Sequence, residues 1–133
     1  MAEQAERDAL QAVDAIIDDY AHHRRDAYFS RFAPEATFVF HTADARLESR
    51  AEYEALWRSW EDDHAFRVVS CASTRRRMQM LGDVAVFSHR VDTVLQMDDV
   101  EERPAERETI VVALRDGVWL GVHEHLSGID VDI

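Results

Sequence analysis

A change of period part-way along the chain restricts its fold more than any other feature. As far as about residue 64, apolar side chains recur mainly at helical spacing, with one strand-like interruption. Beyond it they fall into strand-length runs separated by the turn dipeptides Gly82-Asp83 and Asp116-Gly117. Helices gathered at one end and hairpins at the other specify an α+β fold.

In the first part, Leu10, Val13, Ile17 and Tyr20 make one apolar stripe, predicting an amphipathic helix over Glu3–Arg25. Tyr28, Phe29 and Phe32 predict a short second helix over Asp26–Phe32, closed by Pro34, because the residue before a proline disfavours helical angles. Ala36–His41 (ATFVFH) reads as a strand and Thr42–Glu48 as a loop. Ser49-Arg50-Ala51-Glu52 matches a capping box, opening a third helix that carries Tyr53, Leu56, Trp57 and Trp60 and ends near His64. Strands follow over Phe66–Leu81 and Val84–Met97. An acidic connection over Asp98–Pro104 leads to strands over Arg107–Arg115 and Val118–Ser127. The tail Gly128–Ile133 either frays or packs on a partner.

The 133 residues suit one domain, 1–133, and a 47% apolar content fills one core. A formal charge of −12 repels phosphate backbones, which argues against a nucleic-acid partner. The acidic N-terminus lacks a signal-peptide core, and no apolar run approaches the roughly 18 residues of a membrane span. Cys71 stands alone and has no internal disulfide partner, so the expected compartment is the cytoplasm.

The element order, the aromatic residues before ATFVFH and the ending DGVWLGVHEHLSG together resemble the SnoaL-like branch of the nuclear-transport-factor-2-like superfamily. The resemblance spans nearly the whole chain. Trp119, Val122, His123, His125, Ser127 and Gly128 are its most specific part. It implies a cone-shaped, curved antiparallel sheet of the cystatin-like kind, packed on three helices of the N-terminal half around a pocket. An enzyme on this plan would be a cofactor-independent isomerase, cyclase or lyase. Against ketosteroid isomerases, Tyr20 in DDYAHH aligns with the first-helix tyrosine. Phe40, however, stands at the base aspartate and Val111 at the second acid, so that mechanism is not reproduced. Leu126 stands where the calcium/calmodulin-dependent kinase association domain has a ligand-binding arginine.

Catalytic candidates are Glu124, His41 and Tyr20. Strict alternation puts Trp119, Gly121, His123, His125 and Ser127 on one face of the last strand and Leu120, Val122, Glu124 and Leu126 on the other. Analogy with the association domain turns the Leu126 face inward, where desolvation would raise the pKa of Glu124 and suit it to acid–base work. The competing role is an ion pair with Arg90 or Arg115. His41 follows the lost base position, and an imidazole there could replace it. Tyr20 either donates its hydroxyl to a bound oxygen or satisfies itself at the helix–sheet boundary.

Ligand-binding candidates are Trp57, Trp60, Arg90 and His125, for a small hydrophobic ligand. His123 and His125 have metal-ligand spacing, with His41, His89 or Asp92 as possible third ligands. Two ligands are not a site, so no metal is assigned. His22-His23 reads as a solvated helix face. Apolar residues on both sides of Val84–Met97 and Arg107–Arg115 predict a homodimer that covers the outer face of the sheet.

Overall fold

The computed structural model of the protein describes residues 2–129. Its helices are α1 (Ala2–Ala21), α2 (Arg25–Ser30) and α3 (Arg50–His64). Its strands are β1 (Phe32–Phe40), β2 (Arg67–Leu81), β3 (Val84–Met97), β4 (Val100–Glu102), β5 (Ala105–Arg115) and β6 (Val118–Gly128). The strands form one curved, unclosed sheet in the order β1-β6-β5-β3-β2, with β4 on the end of β3. The β1–β6 pair is parallel, and the other ladders are antiparallel. This is the expected α+β architecture, with the helices packed on one face of the sheet.

Four local features differ from the sequence reading. First, α1 ends at Ala21, because His23 takes a left-handed φ of 54° and turns the chain. The His23 ring is not solvated. Its Nδ1 accepts the Val68 amide at 3.0 Å while Nε2 meets Glu61 at 2.8 Å, tying this turn to α3 and β2. Second, Pro34 does not close α2 but lies inside β1. An edge strand tolerates a missing amide, and the β1–β6 register is interrupted between Phe32 and Thr37. Third, the acidic connection contains β4, which folds back on β3 through Asp98 and Asp99, both left-handed. Fourth, Ser49 caps α3 by accepting the Glu52 amide at 3.2 Å, but the Glu52 carboxylate accepts from Glu48 rather than Ser49. Of the predicted tail, Gly128 ends β6 and the Ile129 amide bonds Ala105; residues 130–133 lie outside the described residues.

The core lies between the helices and the sheet. Val13 and Ile16 of α1 join Tyr28, Phe29, Tyr53 and Trp57 of α2 and α3, and these meet Phe32 and Phe38 of β1. The rings pack mostly edge to face, as at Phe29–Tyr53 (centroids 4.9 Å apart, 82°). Each such buried side chain contributes about 1.5–3 kcal/mol of transfer free energy.

One irregularity in β6 decides what the sheet presents to this core. Val111 pairs with His123 and Val112 with Gly121, so Val122 is an extra residue without a partner, a β-bulge. A bulge reverses the alternation. Trp119 and Gly121 point inward before it, and Glu124 and Leu126 point inward after it. Trp119 and Gly121 therefore do not share a face with His123 and His125, contrary to strict alternation. Gly121 is needed here, since a Cβ would stand 2.5 Å from the Phe32 ring.

Candidate functional site

Between the helices and the inner face of the sheet lies a cavity of about 300 Å³. Its walls are mainly apolar: Ile16, Ile17 and Tyr20 from α1, Tyr28 from α2, Tyr53 and Trp60 from α3, and Val91, Leu95 and Met97 from β3. Three inward carboxyls, Glu106 and Glu108 of β5 and Glu124 of β6, interrupt this lining. They share a face because Glu106, Glu108, Ile110 and Val112 alternate inward along β5, and because the bulge turns Glu124 the same way.

Glu124 is only 3% exposed. Both its oxygens face the Tyr28 hydroxyl, at 3.1 and 3.3 Å, and that hydroxyl lies 3.3 Å from the Tyr53 hydroxyl. Glu108 and Glu124 lie close enough for each to bear on the other's proton affinity. Burial, and then the neighbouring Glu106 charge, push Glu108 up to about 8. Burial, and then Glu108, raise Glu124 well above the usual carboxylate range.

Behind Glu108 stands His89, its side chain fully buried, with Nε2 2.7 Å from the carboxyl and Nδ1 2.6 Å from the Ser73 hydroxyl. Burial and the Arg76 charge push His89 down to about 4, so at neutral pH the imidazole is uncharged. Ser73–His89–Glu108 and Glu124–Tyr28–Tyr53 thus form two hydrogen-bonded rows that meet at the two neighbouring carboxyls. Tyr20, Tyr28 and Tyr53 are all raised well above the usual phenol value by burial, and stay protonated donors. Burial likewise pushes Cys71 up to about 12, leaving an unreactive thiol on the wall.

The structure brings four of the predicted site residues together on this cavity: Glu124, His41, Tyr20 and Trp60. His41 follows β1 and holds Glu106 at 2.6 Å. The other three lie elsewhere. Trp57 is wholly buried in the core and donates its indole N–H to Glu61 at 3.0 Å. Arg90 is on the outer face and pairs with Asp92 at 2.9 Å. His125 is exposed on the outer face. Neither arginine considered as a partner of Glu124 reaches it, since Arg115 pairs with Glu35. His123 bonds Thr37 at 2.8 Å, and its ring centroid is 6.3 Å from that of His125. Among the described residues, no three His, Cys, Asp or Glu side chains are grouped to hold a metal. Phe40 and Leu126, at the positions of the absent aspartate and arginine, both line the cavity.

Sequence reasoning missed Glu106, Glu108 and the Tyr28–Tyr53 pair, and considered His89 only as a third metal ligand. For Glu108 the signal was present, since in ETIVVAL it alternates with Ile110 and Val112.

Comparison with known proteins gives a consistent picture. The SnoaL-like domain pattern matches residues 9–131. No curated protein matches the chain. Solved structures are similar in fold. An NTF2-like protein of unknown function in nutrient uptake from Rhodospirillum rubrum superposes with a TM-score of 0.80 at 17% identity, covering 92% of this chain and 99% of its own. An NTF2-like protein of unknown function from Pseudomonas putida gives 0.78 at 16%, covering 99% and 92%. A putative calcium/calmodulin-dependent kinase II association domain from Exiguobacterium sibiricum gives 0.78 at 12%, covering 98% and 95%. No helix of the described residues is long and apolar enough to cross a membrane.

Proposed function

The chain belongs to the SnoaL-like domain family, and from that premise we propose that it binds a small hydrophobic molecule in the cavity and moves a proton on it. The reaction class is a cofactor-independent isomerisation, cyclisation or dehydration. The observation that carries this reading is the Glu108–Glu124 carboxyl pair, buried together at an apolar cavity. Two neighbouring carboxyls whose proton affinities are raised towards neutral pH supply a proton donor and, once one of them ionises, an acceptor, which is what proton transfer at a carbon or hydroxyl of the substrate needs. Glu124 faces the substrate and exchanges the proton. Tyr20 donates its hydroxyl to a substrate oxygen, and the aromatic walls exclude water. Glu108 and His89 are positioning groups that set the proton count of the pair.

Quenching of tryptophan emission by aromatic, ketone and hydroxylated probes tests the binding step, because Trp60 lies on the cavity wall. Saturable quenching that is lost in Trp60→Phe supports the reading. No quenching by any probe removes it.

The alternative is a non-catalytic association or ligand-sensing module, as the printed name of the Exiguobacterium structure suggests for that protein. Val84, Val86, Val94 and Val111 on the outer face favour a homodimer in either case, since an apolar outer face gains by being covered. Light scattering at micromolar concentration decides between a mass near 15.3 kDa and twice that value.

A further inference from the structure

The charge of the cavity selects among possible occupants. Four of its lining side chains are glutamates, Glu102, Glu106, Glu108 and Glu124. Among the described residues, the only basic side chain on its wall is His41, already bonded to Glu106. The chain has fifteen arginines and no lysine, yet no arginine among the described residues lines the cavity. Arg25 pairs with Glu61, Arg76 with Asp14 and Arg90 with Asp92. A carboxylate or phosphate ligand would find no counter-charge here.

Two further features favour a positive group. Tyr20, Tyr53, Trp60 and Phe66 line the cavity, and aromatic rings attract an organic cation that lies over their faces. Two hydroxyls on the wall also have capacity to spare. Tyr20 has no hydrogen-bond partner among the described residues. Thr93, 3% exposed, reaches only the Cys71 sulfur, at 3.9 Å.

We propose that the occupant is a hydrophobic amine, a protonated nitrogen on an apolar frame, whose ammonium is held by Glu106, Glu108 and Glu124 beside the Tyr20 and Thr93 hydroxyls. The proposal rests on the reading of the cavity as a small-molecule site and names the ligand class. The field that keeps a proton on the carboxyl pair is the field an ammonium would occupy, so the cation replaces the proton and binding releases it. The groups that bear on this pair are Glu106 of β5, His89 of β3 with Arg76 behind it, Cys71 of β2, His41 after β1, and Tyr20, Tyr28 and Tyr53 of the three helices. All three tyrosines and Cys71 stay neutral through pH 8. Amine affinity therefore rises with pH from 6 to 8.5, whereas a neutral ligand that accepts a hydrogen bond from the pair binds less well over the same range.

Three probes with the same ring test this: phenethylamine, 2-phenylethanol and 3-phenylpropionate, titrated into the full chain by calorimetry in two buffers of different ionisation enthalpy. The expected result at pH 8 is phenethylamine binding at least about tenfold more tightly than the alcohol, with proton release. That preference should shrink to within about threefold in Glu108→Gln/Glu124→Gln. The wild-type pH dependence needs no variant, so the test survives if the double variant fails to fold. Equal or tighter binding of the alcohol or the carboxylate overturns the amine and leaves the small-molecule site standing. If none of the three binds, both fall.

Discussion

Glu124 and His125 are neighbours in sequence and lie on opposite sides of the sheet. The acid is 3% exposed, bonded to Tyr28 and raised in pKa. The imidazole is exposed and joins no described hydrogen bond. His89 repeats the contrast within one residue type: an inner-face histidine held uncharged by burial, against outer-face histidines that face solvent or a threonine. Residue type alone therefore says little about chemistry in this chain. The side of the sheet decides, and the bulge at Val122 decides the side.

Substituting the inner acid should have the largest effect. If Glu124 exchanges the substrate proton, Glu124→Gln lowers turnover by about 10²–10⁴-fold. Its melting temperature should hardly change, because glutamine keeps the shape and the Tyr28 contact. A large loss of stability with turnover intact would return Glu124 to a purely structural role. Gly121→Ala comes next. Its methyl group would enter the Phe32 ring at 2.5 Å, so overpacking should cost about 1–3 kcal/mol, measured by urea unfolding and relieved in part by Phe32→Leu. A neutral result would mean that the inward turn before the bulge is wrong.

The positions of β2, β3, β5 and β6 were legible in the sequence, because Gly82-Asp83 and Asp116-Gly117 mark the turns of the two hairpins. The bulge did not, since Leu-Gly-Val-His reads as uninterrupted alternation and only the pairing with β5 shows the extra residue. Tyr20, Trp60, His41 and Glu124 were nominated from single positions and meet at one cavity. His89 and Glu108 were not nominated as acid–base groups, because their relation spans the β3–β5 ladder, where His89 pairs with Glu108 in register. Pro34 misled for a related reason, since whether a proline stops a helix or sits on a free edge depends on the neighbouring strand.

The pH dependence of stability should show a middle-sized effect. Glu108, at about 8, keeps its proton where the unfolded chain has lost it. Its stabilisation is full below the ordinary value of 4.5 and is lost as pH rises to 8. His89, at about 4, acts in the opposite sense, and its contribution is lost as pH falls below 6.5. Glu124, raised in the same direction, adds to the loss, so stability should fall as pH rises from 6.5 to 8, and the fall should be smaller in Glu108→Gln. A flat profile over that interval in the wild-type chain would contradict the buried acid. The outer face should give the smallest effects: His125→Ala within about 0.5 kcal/mol of the parent stability, and no change in melting on adding a chelator.

Infrared difference spectroscopy of the carboxyl region at neutral pH tests directly whether this carboxyl pair keeps a proton. The expected spectrum at pH 7 contains the C=O band of protonated glutamic acid, which weakens as Glu108 ionises near pH 8 and is absent in the Glu108→Gln/Glu124→Gln protein. If every glutamate is already ionised at pH 6, the buried pair holds no proton, and neither the acid–base role of Glu124 nor the exchange of that proton for an ammonium survives.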